Sequence, residues 1–219
     1  MAVYLPDTGA SPVYLAGGRR ALVCRGQGGA VMCGRYTLMT DEDYKDLEEI
    51  VREVSRTTGA QVKTEGDIYP TNDAPVLLNR EGRRLADLFR WGFPNFYRKG
   101  VIINARAETA EDKPTFRPCL EAGRCVIPSA GFYEWDADKR KIRFYQPGHA
   151  LYMAGLYRVY EGKPCYVILT TAANPSVADV HDRMPLVLLP DQIDPWLEDA
   201  GAALSILHRT PPLLQRRYA

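Results

Sequence analysis

No apolar run in this 219-residue sequence approaches the ~20 residues needed to cross a bilayer as a helix, so no membrane span is expected. With only three histidines, a His-rich metal centre is not expected either. The five cysteines (Cys24, Cys33, Cys119, Cys125 and Cys165) are odd in number and form no C-x-x-C pair. That pattern argues against a disulfide framework and a cysteine zinc site, and for a reducing compartment. Excess charge of either sign is missing too: 28 Lys and Arg face 27 Asp and Glu, and a net charge of +1 provides no bulk field for nucleic acid. There is no Walker loop, dinucleotide fingerprint, H-E-x-x-H or G-x-S-x-G. What remains, 46% hydrophobic and 25% charged, is the profile of a globular protein of one large or two small domains.

Residues 1–31 fit that profile badly. They hold no sustained period, scatter Gly and Pro, and lack the apolar centre of a signal peptide. Periodic structure begins only after Met32. We expect Met32 to be the true start and residues 1–31 a translated leader; a flexible N-terminal tail is the alternative. In support, Gln27-Gly28-Gly29 can be encoded as CAAGGAGGN, a purine-rich ribosome-binding sequence a few codons upstream of Met32. Without the leader the charge balance turns marginally acidic.

Downstream, short strands alternate with turns, and no linker or repeat divides them. Arg35–Leu38 reads as a strand. Thr40 followed by three acidic residues caps a helix over Asp41–Ser55. Pro75–Asn79 and Leu85–Trp91 read as a hairpin with Glu81-Gly82 in its turn. Val101–Asn104 is a buried-type strand, and Lys113–Glu121 a helix stopped by Gly123. Strands follow at Arg124–Ile127, Phe132–Trp135, Ile142–Tyr145, Leu151–Tyr160, Cys165–Thr170 and Leu186–Leu189, and Asp191–Asp199 is the last expected helix. The predicted class is α+β: a single β-rich domain, 32–219, with antiparallel strands curled around a shared core and a few flanking helices.

Met32-Cys33-Gly34-Arg35 is the most informative tetrapeptide. If Met32 initiates translation, the small Cys33 side chain permits its removal, and Cys33 then carries a free α-amine beside its thiol. Such a 1,2-aminothiol condenses with an aldehyde to an imine, and the thiol closes a five-membered thiazolidine on the same carbon. The amine titrates near about 7.7–8.0 and the thiol near about 8.5, so modest tuning makes both nucleophilic at neutrality. Gly34 leaves room for a bulky partner, and Arg35 can hold an anion. The competing reading is a buried core cysteine.

Four further stretches weigh against that reading. Residues 102–109, I-I-N-A-R-A-E-T, run from an apolar strand abruptly into polar residues, and the amide of Asn104 and guanidinium of Arg106 at a strand end suit a site better than a core. Residues 129–135, S-A-G-F-Y-E-W, set the Glu134 carboxylate among aromatics, where desolvation would raise its pKa and fit it for proton transfer; an outward strand position is the alternative. Residues 181–185, H-D-R-M-P, place His181 in a charged turn, where a backbone-bonded loop histidine is the plainer reading. Residues 91–97, W-G-F-P-N-F-Y, form an aromatic loop around Trp91, Phe96 and Tyr97, suited to stacking on bases or to packing on the core. His149 and His208 receive no role. Cys125 and Cys165 read as core, and Cys119 has no evident partner.

Together these stretches resemble the SOS-response-associated peptidase (SRAP) family, the abasic-site processing proteins. The ordered set is M-C-G-R-Y at 32–36, Y-P-T-N-D-A-P at 69–75, W-G at 91–92, I-N-A-R-A-E-T at 103–109, R-C-V-I-P at 124–128, G-F-Y-E-W at 131–135 and H-D-R-M-P at 181–185. The resemblance implies a curved, barrel-like sheet and an N-terminal cysteine that forms a thiazolidine crosslink with abasic sites in single-stranded DNA during the SOS response. By resemblance Cys33 is the nucleophile, Asn104 bonds the crosslinked sugar, and Glu134 and His181 move protons. Arg35, Asn72, Arg106 and Arg183 hold phosphates, and Trp91, Phe96 and Tyr97 belong to the DNA-binding face. Phe96 and Tyr97 fall where relatives often carry tryptophan, which weakens stacking. The tail, Ile206–Ala219, lacks the closing segment of many relatives.

No cofactor or metal is expected. The partner is single-stranded DNA carrying abasic sites, and the protein is expected to be a cytoplasmic monomer, nucleoid-associated when bound to DNA. Two other readings stay open. One is an N-terminal-nucleophile cysteine peptidase that exposes Cys33 by cleaving the Met32–Cys33 bond. The other is a non-covalent reader of single-stranded DNA.

Overall fold

The computed structural model describes residues 34–38 and 44–219. In chain order the first elements are β1 (Tyr36–Thr37), α1 (Lys45–Thr58), β2 (Asp67–Ile68), β3 (Asp73–Arg80), β4 (Arg83–Trp91), β5 (Phe93–Pro94), β6 (Val101–Ile102), β7 (Asn104–Arg106), α2 (Ala107–Ala110) and α3 (Arg117–Ala122). Then come β8 (Arg124–Ser129), β9 (Gly131–Trp135), β10 (Lys141–Tyr145), β11 (Leu151–Tyr160), β12 (Lys163–Ala172), β13 (Arg183–Pro185) and β14 (Val187–Leu188). A 3-10 turn at Pro190–Gln192, α4 (Ile193–Glu198), α5 (Ala200–Leu207) and β15 (Gln215–Tyr218) complete the chain. None of the described helices is long and apolar enough to cross a membrane.

Five strands close on themselves in the order β12–β4–β3–β8–β11 and back to β12, with β13, β7 and β14 attached outside the ring. The ring is antiparallel except at β4–β12, which is parallel, as is the attached β7. Alternation along the strands divides the core. Val76 and Leu78, Cys125 and Ile127, Tyr166 and Ile168 point into one cluster, while Leu77, Val126 and Val167 point into another beneath the helices. A second, five-stranded sheet, β15–β10–β9–β1–β2, covers the first cluster with Tyr36, Phe132 and Phe144.

So narrow a barrel needs a place where side chains are absent. Gly155 of β11 is that place: a Cβ there would meet the Ile127 Cδ1 at 2.2 Å and the Val167 carbonyl at 2.8 Å, on the two strands flanking β11. The β3–β4 hairpin turns through Glu81 and Gly82, both at positive φ, with Arg80 opposite Arg83. The turn falls on the expected Glu81-Gly82, but it is tighter than the five residues left between Asn79 and Leu85, because Arg80, Arg83 and Arg84 join the strands.

Other boundaries move for local reasons. The first helix is described from Lys45; the expected cap at Thr40 and the residues after it lie outside the described residues. The expected helix from Lys113 starts only at Arg117, because Pro114 disfavours helix at the residue before it and Pro118 occupies the first turn. The single strand expected at Val101–Asn104 splits in two at Ile103, whose carbonyl accepts both the Trp91 indole N–H and the Ile168 N–H. Asp199 accepts from the Gly201 and Ala202 N–H groups and so opens α5, where the sequence reading ended its last helix. The tail also supplies β15, paired to β10 from Tyr218↔Ile142 to Gln215↔Tyr145.

One buried cation secures the helical layer. Arg124 Nε donates to the Trp196 carbonyl at 2.6 Å, Nη1 to those of Leu120 and Glu121, and Nη2 to that of Leu197. It thus satisfies the orphan carbonyls at the ends of α3 and α4. Arg124→Met should cost about 2–4 kcal/mol of stability, because buried acceptors would lose their charged donor. Urea unfolding measures this; an unchanged midpoint would show that water replaces the guanidinium.

Candidate active site

Two groups of residues converge on the core from the two sheets. The first surrounds the N-terminal end of β1. Tyr36 lies opposite Phe132, and the Tyr133 N–H donates to the Arg35 carbonyl at 3.0 Å, so the same register sets Gly34 level with Glu134. Cys33 lies outside the described residues. The Glu134 side chain is buried, with the residue only 4% exposed, which fulfils the expectation of a carboxyl removed from water.

Arg35 does not stand alone. Its guanidinium pairs with Asp67 at 3.2 Å and lies over the rings of Tyr69, at 4.6 Å, and Trp135, at 5.0 Å. Asp67 also takes Lys141 Nζ at 2.9 Å. One carboxylate therefore serves two cations and leaves a positive surplus between two aromatic faces. Asp67, Trp135 and Lys141 were missed from the sequence because they come from three strands, and only strand pairing assembles them.

The second group is built on the C-terminal half of β12. There Ile168 lies opposite Asn104, Thr170 opposite Arg106 and Ala172 opposite Arg183. Arg106 is exposed. Arg183 is committed: its guanidinium grips both Glu108 oxygens and also donates to the Thr170 carbonyl at 2.6 Å. This bond holds the Glu108 carboxyl below the usual carboxylate range, against the opposing effect of burial.

His181 sits two residues before Arg183. The Arg183 backbone N–H donates to His181 Nδ1 at 3.0 Å, and Nε2 is buried with no hydrogen-bond partner among the described residues. Burial lowers the ring's pKa from its ordinary value, opposed by Asp182, whose Oδ1 lies 2.9 Å from Nδ1. The carboxylate of Asp182 is almost wholly hydrated, so we assign the neutral ring with its proton on Nε2, as the backbone bond requires. Asn174, another residue missed from the sequence, anchors this turn: its amide donates to the Pro211 and Pro212 carbonyls.

The remaining expected residues divide. Trp91, expected on the DNA-binding face, is a core residue: it is fully buried, packed against Tyr36 and Tyr166, and its indole N–H is used by Ile103. No base can reach it. The Asn72 carbonyl oxygen of the side chain accepts from the Tyr69 N–H, so that group shapes its own turn. Phe96 and Tyr97 are 78% and 95% exposed, on a turn organised by the Asn95 side chain. Beside them opens a cleft of about 510 Å³ lined by Arg90, Phe96, Arg98, Lys99 and Lys163, a combination of cations and an aromatic that the sequence scatters over 74 positions from 90 to 163.

These features belong to a defined class. Residues 32–215 match the family model for the SOS response associated peptidase (SRAP), and the chain belongs to that family. It is 35% identical over 188 residues to "Abasic site processing protein YoqW" of Bacillus subtilis, covering 76% of this chain and 80% of the relative. To "Abasic site processing protein YedK" of Escherichia coli it is 30% identical over 178 residues, covering 76% and 79%. Among solved structures, a Bordetella bronchiseptica protein aligns with a TM-score of 0.67 at 25% identity, over 85% of this chain and 99% of that one.

The lowered His181 pKa has a definite sign. Since the unfolded ring binds a proton near about pH 6.5 and the folded ring only at lower pH, stability from this group is complete above about pH 6.5 and falls as the solution is acidified through that value. Nuclear magnetic resonance should place the His181 midpoint below that of an unperturbed histidine, and Asp182→Asn should move it lower still. An upward move would show that Asp182 does not favour the charged ring.

Proposed function

We propose that this protein processes abasic sites in single-stranded DNA by covalent capture through the α-amine and thiol of Cys33. The observation that carries the proposal is the register of β1 on β9, which sets the buried Glu134 level with Gly34, the residue next to Cys33. The names of the relatives support abasic sites as the substrate. For the chemistry to run, the mature chain must begin at Cys33.

The ring-opened abasic sugar presents an aldehyde. The Cys33 amine adds to it, and loss of one water gives an imine. The thiol then adds to the imine carbon, its proton passes to nitrogen, and the thiazolidine closes. Glu134 accepts and returns the protons of these additions. His181, with its proton on Nε2, donates to the departing hydroxyl and to the ring nitrogen during reversal, and Asn104 holds the sugar. Arg35 and Arg106 meet phosphates, and Phe96 and Tyr97 offer faces to unstacked bases beside the cationic cleft. Encounter is weak and salt-sensitive, because few unpaired cations are available for counterion release. The bond supplies persistence.

Cys33→Ser, in a chain beginning at residue 33, keeps the amine. It should still give a Schiff base that borohydride traps, but no adduct that survives without borohydride. A blocked N-terminus should abolish both. A peptidase using only the thiol would instead keep peptide-cleaving activity when blocked, and a chain that crosslinks equally well when blocked would overturn the aminothiol mechanism.

Glu134→Gln keeps size and hydrogen bonding but removes the proton acceptor. Crosslinking measured on a denaturing gel should slow about 10²–10⁴-fold. His181→Ala should alter the rate of adduct reversal as well. Unchanged rates in both variants would assign the two residues to structure alone.

A further inference from the structure

We infer that Glu108 is an internal competitor for the phosphate position at Arg183, its carboxylate occupying the guanidinium in the free protein and yielding it to a DNA phosphate on binding. The inference deepens the single-stranded DNA reading above and rests on it for the identity of the anion.

The donors of Arg183 account for the arrangement. Nη1 is bonded to Glu108 Oε1; Nη2 is bonded to Glu108 Oε2 at 2.8 Å, to the Thr170 carbonyl at 2.6 Å and to the Thr170 hydroxyl at 3.2 Å. Nε is buried and has no partner among the described residues. The carboxylate thus fills the two-pronged fork that a phosphate would use, with the same geometry and charge. Thr170, on β12, holds the guanidinium from the protein side. Glu108 approaches from the solvent side: its side chain is 45% exposed, against 16% for Arg183. The carboxylate can therefore swing into water while Arg183 keeps its place.

The local charges make the exchange consequential. Arg106 and Arg183 both act on the Glu108 carboxylate and Asp182 lies against His181, so two positive and two negative side chains balance here until Glu108 turns away. Weakly bound single anions gain little by displacing a carboxylate already in place. A phosphate held near by the rest of a DNA strand does so at high effective concentration. Glu108 would thereby keep Arg183 extended and ready, and reserve it for a ligand anchored elsewhere in the site.

The test uses the full-length protein and two probes that cannot form the covalent adduct: an undamaged thymidine oligonucleotide and inorganic pyrophosphate. Glu108→Gln should tighten binding of each by about two- to five-fold, the range of a partly exposed charge pair. The gain should vanish in the Glu108→Gln, Arg183→Gln double variant. Glu108→Ala should reproduce the gain, with thermal melting recorded for each variant. Unchanged or weaker binding, a gain that survives in the Arg183→Gln background, or loss of folding in both Glu108 variants would overturn the inference. Oligonucleotide binding that is absent in every variant, beside an Arg183-dependent gain for pyrophosphate, would instead overturn the single-stranded DNA reading and leave the competitor in place.

Discussion

The phenol oxygens of Tyr36 and Tyr166 lie 2.6 Å apart where no water reaches, and this contact ties β1 of the outer sheet to β12 of the barrel. Trp91 packs on both rings, and its indole N–H fixes the Ile103 carbonyl immediately before Asn104. From the contact the chain runs two residues back to Gly34, level with Glu134, and two residues on to Ile168, opposite Asn104. The relative placement of the two halves of the candidate site therefore depends on a buried hydroxyl pair rather than on any loop. Burial, with the neighbouring Tyr36, also pushes the Tyr166 phenol well above its ordinary pKa, so that hydroxyl stays protonated. A hydrogen bond of this kind is costly to leave half made, which favours one arrangement of the two sheets over a range of them.

The cations around this frame are mostly held by carboxylates: Arg35 and Lys141 by Asp67, Arg183 by Glu108, Arg90 by Asp73. Such pairs keep long side chains extended and limit the unspecific attraction of nucleic acid that unpaired arginines would cause. They also limit affinity. In the proposed reaction the noncovalent complex needs to last only until a bond forms.

Much of this was legible in the sequence because the signals were local. Glu81-Gly82 marked the hairpin turn, the apolar runs at 124–127 and 151–160 marked strands, and the ordered motifs from M-C-G-R-Y to H-D-R-M-P marked the family. The losses were non-local. An aromatic in a W-G motif reads equally well as a stacking face or a core ring, and only the neighbours Tyr36 and Tyr166 decide for the core at Trp91. Arg183 reads as a free cation until Glu108, 75 positions away, is seen on its guanidinium. The exposed strand Gln215–Tyr218 carries no apolar alternation at all, because it is an edge strand whose register comes from β10. Asp67 was invisible for the same reason: its partners Arg35 and Lys141 meet it only across strands.

The proposed capture of an abasic aldehyde by the Cys33 aminothiol leaves a definite product. Intact mass spectrometry of the product formed with a short abasic oligonucleotide, without borohydride, tests it most directly. The account predicts a single stable species whose mass is that of the chain beginning at Cys33 plus the oligonucleotide, less one water. A stable adduct that still carries residues 1–32, or no adduct from a chain verified to begin at Cys33, would contradict it.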